Sequence, residues 1–312
     1  MFQITPYHSS EYEKWNAFVE RSKNATFLFD RHYMDYHADR FQDASLMFYL
    51  EGRLVALLPA HKDGDTLCSH NGLTYGGLIM DEKATAERIF VLFAEMNDYL
   101  RNQGFRTVFY KPVPWIYHQY AAEEDLYALY NVCKAQLVGR DVAAVACTNH
   151  LLPWRNIRKQ GAKKAIQHGC VIREGENYSD FWDILTENLL TKYGVSPVHT
   201  LDEIHLLHHL FPKQIRLFVA EINGRVMGGT VLYMTRNVVH VQYISASAEG
   251  KRLHVLDCLF DFLLENLPQE CHYFDFGKST ATDSCLLNAS LAYQKEGFGA
   301  RSICYDTYQW NL

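Results

Sequence analysis

The chain has 312 residues, 48% of them hydrophobic and 14% aromatic, which excludes a disordered or low-complexity protein and gives two domains as the prior. A net charge of −6 and a pI near 6.2 exclude binding of polyanions through overall charge, though not through a local patch. The eight cysteines form no C-x-x-C pair and read as reduced thiols of a cytosolic protein; no secretion leader is evident, and no apolar stretch approaches the roughly 18 residues of a membrane span.

In chain order, the first expected element is an amphipathic helix over residues 11–21, with Trp15 and Phe18 on one face. A second helix is expected over 30–40. Tyr33, Tyr36, His37 and Arg40 would share one face of it, suited to a polar ligand or to the wet edge of an amphipathic helix. Glu51-Gly52 between two apolar runs then reads as a hairpin turn. A strand over 73–79, a long helix over 85–102 and a short strand over 107–110 follow. Residues 120–177 form a connecting region with a strand at 142–147 and a basic helix at 154–167.

The order then repeats. Helices are expected over 180–192 and 200–210, the second opening on a Thr200/Glu203 capping box and ending before Pro212. Asn223-Gly224 marks a second hairpin, since both turn residues accept positive φ. A strand over 238–245, a helix over 253–267 and a strand over 273–276 complete the series. The segments around Gly52 and Gly224, and around Trp15 and Trp182, repeat at nearly the same spacing, so the chain reads as a duplication.

This order resembles the GNAT acyltransferase fold, and its doubled form resembles the FemABX-like peptidyltransferases. The resemblance is carried by Leu73-Thr74-Tyr75-Gly76-Gly77-Leu78, Trp154-Arg155-Asn156-Ile157-Arg158-Lys159, Phe274-Asp275-Phe276-Gly277 and Tyr293-Gln294-Lys295-Glu296-Gly297-Phe298. It implies a mixed α/β (α+β) chain of two tandem GNAT-like domains, 1–150 and 151–312, each a mixed central sheet flanked by helices. It also implies an N-acyltransferase. The donor would be acyl-CoA, such as acetyl-CoA, bound by the second domain. The acceptor would be the amine of a small, phosphate-bearing envelope or polysaccharide precursor. Aminoacyl transfer from aminoacyl-tRNA, and a ligand-binding protein that has lost its chemistry, are the alternatives.

The family's pyrophosphate loop has a departure here. Ser245-Ala246-Ser247-Ala248-Glu249-Gly250-Lys251-Arg252 carries one glycine, so Ser245, Gly250, Lys251 and Arg252, with Lys278, are the donor-binding candidates. On the acceptor side the candidates are Tyr33, Tyr36, His37, Tyr75, Gly76, Arg155, Arg158 and Lys159; the last three share one side of the basic helix and suit a phosphate.

Three residues are candidates for the chemistry. Lys295 matches a lysine that the family places near acyl transfer, where an ammonium stabilises an oxyanion. Asp275 is either a general base for the amine or a cap for the following turn. Tyr243 is either a proton donor to the leaving thiolate or a packed strand aromatic. The i, i+4 pair His205 and His209, with His208, lacks a further ligand at metal-site spacing and reads as an exposed helix face, so no metal is expected.

Overall fold

The computed structural model describes residues 1–280 and 286–312. It divides into two compact units, Met1–Asp141 with Cys304–Leu312, and Val142–Ile303. The chain thus passes from the first unit to the second inside one strand and returns inside another, whereas the sequence reading placed a single division after residue 150. Both crossings lie inside strands rather than in a Pro/Gly-rich linker, so no linker composition marks either one.

The first unit opens with β1 (Gln3–Pro6), α1 (Tyr12–Arg21), α2 (Arg31–Met34) and β2 (Gln42–Asp43). The strands β3 (Leu46–Leu50), β4 (Arg53–Leu58), β5 (His61–Asp63), β6 (Thr66–Cys68) and β7 (Ile79–Met80) follow. Then come α3 (Ala86–Asn102), β8 (Thr107–Tyr110), α4 (Glu124–Asn131) and β9 (Gln136–Cys147), the last passing into the second unit. That unit holds α5 (Asn156–Gln167), β10 (Val171–Gly175), α6 (Ser179–Tyr193), α7 (Leu201–Leu210), β11 (Ile215–Ile222), β12 (Arg225–Met234) and β13 (Val238–Ala246). It continues through α8 (Ala248–Arg252), α9 (Val255–Glu265), β14 (Tyr273–Lys278) and α10 (Ala289–Glu296), and β15 (Arg301–Asn311) returns to the first unit.

Each unit has a mixed sheet flanked by helices. In the second unit the order is β10-β11-β12-β13-β14-β9, antiparallel except for the parallel pair β13/β14. In the first unit β15-β8-β6-β5-β2 contains the parallel pair β6/β8, and β1-β3-β4-β7 forms a separate antiparallel sheet. The helix between parallel strands covers the sheet in both. In the first unit Leu92, Phe93 and Met96 of α3 pack with Phe48, Ala56 and Tyr110; in the second, Leu259, Phe260 and Leu263 of α9 pack with Val239, Val241 and Phe274.

Both hairpins have the turn expected from sequence, with positive φ at both central residues: Glu51 (51°) and Gly52 (75°), Asn223 (53°) and Gly224 (75°). Each ladder also slips once. Tyr49↔Leu54 gives way to Phe48↔Ala56, and Glu221↔Val226 gives way to Ala220↔Gly228. The extra residue, Val55 or Met227, falls at the same place after the turn glycine in both halves, so the repeat extends to backbone irregularity. The Thr200/Glu203 capping box is present, and Thr85 caps α3.

Three elements differ from expectation. The helix over 30–40 stops at Met34 and continues only as a single tight turn over Asp35–His37. The strand over 73–79 is reduced to Ile79–Met80. A Cβ at Gly76 would stand 2.0 Å from the Ser69 carbonyl oxygen, and Gly77 has φ +83°, so the paired glycines turn the backbone out of a ladder. The helix over 253–267 is shortened to Val255–Glu265, because His254 adopts the left-handed conformation at φ 60° and separates it from the short α8 that precedes it.

α5 and α9 meet at a glycine. Arg158 Nη1 donates to Asp257 Oδ1 at 2.7 Å, and the His254 ring lies 3.2 Å from the other oxygen of that buried carboxylate. A Cβ at Gly161 would stand 2.0 Å from Asp257 Oδ2. Helix propensity favours alanine by about 1 kcal/mol, but overpacking costs about 1–3 kcal/mol, and this carboxylate is pinned from two sides. Gly161→Ala therefore lowers the melting temperature in a thermal denaturation; a raised melting temperature would show that the helices part freely.

Candidate functional site

The site grows from the end of one ladder. β13 and β14 pair in parallel only at Val238↔Tyr273, Val239↔Phe274 and His240↔Asp275, yet β13 runs on to Ala246 and β14 to Lys278. Both strands carry an irregularity just beyond the last pair. The β12/β13 register shifts between Leu232↔Val241 and Val231↔Tyr243, which leaves Gln242 as a bulge. In β14, Gly277 has φ +75°. Asp275 holds this turn, accepting from Gly277 N at 2.7 Å while its other oxygen lies 2.9 Å from His240 Nδ1. The strands part beyond that rung, and a crevice opens at their carboxyl ends, where open sheets take ligands.

A cavity of about 310 Å³ occupies the crevice. β13 contributes Val241, Ile244, Ser245 and Ala246, and β14 contributes Phe276. Helix α6 contributes Leu185, Asn188, Leu189 and Lys192, at i, i+3, i+4 and i+7. Tyr193 at the end of α6, Lys251 of α8, Leu256 and Phe260 of α9, Leu291, Gln294 and Lys295 of α10, and Phe298 just after it close the remainder.

Lys295 is buried in this wall. Its Nζ donates to the carbonyl oxygens of Gly277 at 2.9 Å and Lys278 at 2.5 Å, two of an ammonium's three bonds. Burial lowers its pKa to about 8, against the opposing pull of the Asp275 charge. Asn188 ties the opposite rim. Its amide donates to Ser245 Oγ at 2.8 Å and to the Ala246 carbonyl at 2.9 Å, and its carbonyl accepts from Lys251 Nζ.

The remaining expected residues fall elsewhere. Tyr243 is absent from the cavity wall. Its hydroxyl meets His199 Nδ1 at 2.5 Å and accepts from His199 N at 3.2 Å, with its pKa pushed up to about 12 by burial, so it anchors the chain entering α7. Asp275 is fully buried and committed to the turn and to His240. Gly250 is a close-packing glycine, since a Cβ there would stand 2.3 Å from the Met227 carbonyl oxygen; its N–H is already bonded to the Ser247 hydroxyl at 3.0 Å. Arg252 and Lys278 are exposed.

On α5, Lys159 is exposed, while Arg158 reaches inward to Asp257. The Arg155 guanidinium lies 3.8 Å above the Tyr293 ring and 3.6 Å from Glu296, which fastens α10. Tyr33, Tyr36, His37, Tyr75 and Gly76 all belong to the first unit. Because the helix ends at Met34, they do not form the expected face: Tyr33 and His37 are buried and Tyr36 half-buried. Tyr75 is buried, with its hydroxyl 3.2 Å from Thr26 Oγ1. On α7, the rings of His205 and His208 pack against Tyr178 at 5.3 and 5.4 Å. Among the described residues no three His, Cys, Asp or Glu side chains are placed to hold a metal ion. Nor is any described helix long and apolar enough to cross a membrane. Of the cysteines, Cys285 lies outside the described residues.

Sequence reasoning missed Asn188, Lys192 and Gln294. The available signal was a polar Asn188 at helical spacing among Phe181, Ile184, Leu185 and Leu189.

Residues 154–284, which include β13, β14 and most of the cavity wall, match the family model of the acetyltransferase (GNAT) domain. FemX superposes with a TM-score of 0.68 at 9% identity, over 99% of this chain and 97% of that one. This chain has a tandem GNAT fold that resembles that of FemX. L-PGS from Bacillus licheniformis shares the fold at TM-score 0.63 and 12% identity, over 97% of this chain and 91% of that one. The tandem GNAT protein from the clavulanic acid biosynthesis pathway does so at TM-score 0.50 and 13% identity, over 100% and 98%. A sequence search of the curated proteins finds no match. The matched GNAT domain marks the chain as a transferase.

The Arg158–Asp257 pair divides structure from ligand binding within this GNAT domain. Arg158→Ala strands a buried carboxylate and costs about 3 kcal/mol in chemical denaturation, part of the loss being offset by His254. Unchanged stability with weakened binding of a phosphate-bearing ligand would instead make Arg158 a ligand clamp.

Proposed function

We propose that this protein is an N-acyltransferase that moves an acyl group from a coenzyme A thioester to the amine of a small acceptor. The observation that carries the reading is Lys295, a buried ammonium held at the parting of two parallel strands and facing a cavity of about 310 Å³. The thioester would lie along β13, with its carbonyl oxygen toward Lys295. The neutral amine attacks the carbonyl carbon, and negative charge gathers on the oxygen, where the ammonium stabilises it. The C–S bond then breaks, and the proton lost by the nitrogen reaches the thiolate through solvent. No covalent enzyme intermediate is needed. Asp275 shapes the crevice rather than serving as the base, and Tyr243 lies outside the wall.

For the acceptor we retain a small, phosphate-bearing cell-envelope or polysaccharide precursor. With Arg158 committed to Asp257, its phosphate would fall to the exposed Lys159 and Lys163. The free thiols of the seven described cysteines support a reducing compartment, the cytoplasm. A second reading, aminoacyl transfer from aminoacyl-tRNA, is favoured by the start of α8. There Ser247 already occupies the Gly250 N–H that would otherwise face a pyrophosphate. Calorimetry with acetyl-CoA and with bulk aminoacyl-tRNA separates the two readings.

A lysine that works as an ammonium fails when it loses its proton. With its pKa lowered to about 8, kcat/KM falls as pH rises through that value. Lys295→Arg, permanently charged, removes the falling limb, and Lys295→Ala lowers kcat by about 100-fold. A falling limb that persists in Lys295→Arg would assign it to another group, and unimpaired turnover in Lys295→Ala would make the residue structural.

A further inference from the structure

Lys295 is held by two consecutive carbonyls, those of Gly277 and Lys278. In a regular strand successive carbonyls point to opposite edges, so one ammonium does not meet both. Two departures bring them together here. Gly277 has φ +75°, and between Asp275↔Val145 and Lys278↔Ala143 strand β14 carries one residue more than β9. The seat of Lys295 is thus a local distortion of β14, and something must hold the distortion in place.

It is held from outside the cavity. Asp275 accepts from Gly277 N with one oxygen, and its other oxygen lies 2.9 Å from His240 Nδ1. An ionised carboxylate only accepts hydrogen bonds, so His240 Nδ1 carries the hydrogen and donates it. The imidazole also backs the turn, since a Cβ at Gly277 would stand 3.6 Å from His240 Cε1. The His240 side chain is 12% exposed and forms no part of the cavity wall, so it reaches the site only through Asp275 and the turn.

We infer that His240 is a positioning residue for Lys295: by holding Asp275, it fixes the turn whose two carbonyls seat the ammonium at the cavity wall. The inference rests on the role given to Lys295 above. The Asp275 charge also acts on Lys295 directly, opposing the burial that lowers its pKa. Of the other charged neighbours, Glu296 pairs with Arg155 at 3.6 Å, and the Lys278 side chain is exposed. A buried carboxylate deprived of a donor holds a proton more readily. Its charge then weakens, and Lys295 gives up its own proton at lower pH.

The test reads Lys295 itself. Competitive labelling with acetic anhydride across a pH series, followed by peptide mass spectrometry, measures its protonation whether or not the protein turns over a substrate. The midpoint in the unmodified protein is expected at about 8. In His240→Leu it moves at least about half a pH unit lower. In His240→Asn, whose amide donates to Asp275 in place of the imidazole, it stays with the unmodified protein. An unmoved midpoint in His240→Leu, or an equal displacement in both variants, overturns the inference. If His240→Leu does not fold, the imidazole nitrogen-15 shifts of the unmodified protein decide: a hydrogen on His240 Nδ1 supports the inference, and a bare Nδ1 overturns it. Labelling as expected in a protein that transfers no acyl group would overturn the acyltransferase reading and leave the role of His240 standing.

Discussion

Two parallel strands that stayed paired to their ends would leave no room between them. Here the pairing stops at one rung, where Asp275 and His240 face each other. The same carboxylate turns the chain at Gly277 by accepting its N–H. A carboxylate with no solvent access persists only when its oxygens are satisfied, and these two partners do that. The crevice and the exposure of the Gly277 and Lys278 carbonyls to Lys295 follow from this rung, whose carboxylate charge opposes the burial that lowers the pKa of that lysine. Asp275 thus matters for the shape of the site, as the residue that makes strand separation stable.

The duplicated halves have diverged at the corresponding place. Both keep the tight hairpin, the bulge at the same offset and a helix packed over a parallel strand pair. In the first unit, however, the segment that would extend the ladder is occupied by Gly76 and Gly77, whose backbone presses against Ser69 and Tyr110. The Tyr110 hydroxyl accepts from Leu78 N and donates to the buried Asp125, whose pKa burial raises to about 6. That unit spends its polar groups on its own core. The second unit leaves a lysine facing a cavity.

The sequence displayed the elements whose signals are local. Turn residues located both hairpins, Thr200 and Glu203 located a helix start, and apolar periodicity placed α3 and α6. What escaped depends on contacts distant in sequence. Nothing near Arg158 announces Asp257 as its partner, so a structural ion pair read as a phosphate clamp. Of the two readings of Tyr243 the packed strand aromatic holds, and sequence could not choose between them because the Gln242 bulge, which resets the facing of the residues beyond it, has no local signature. Helix α10 and strand β15, rich in polar residues, carry no strong periodicity. Lys295 was legible only through family resemblance, since its burial depends on α10 packing over the end of β14.

The central claim is that the donor sits in the crevice of the second unit, beyond the His240–Asp275 rung. Hydrogen exchange with and without a coenzyme A thioester tests it directly. Protection is predicted in peptides covering 241–251 and 289–296, with residues 73–80 of the first unit unchanged. Protection confined to the first unit, or absent from both despite measurable binding, would contradict the account.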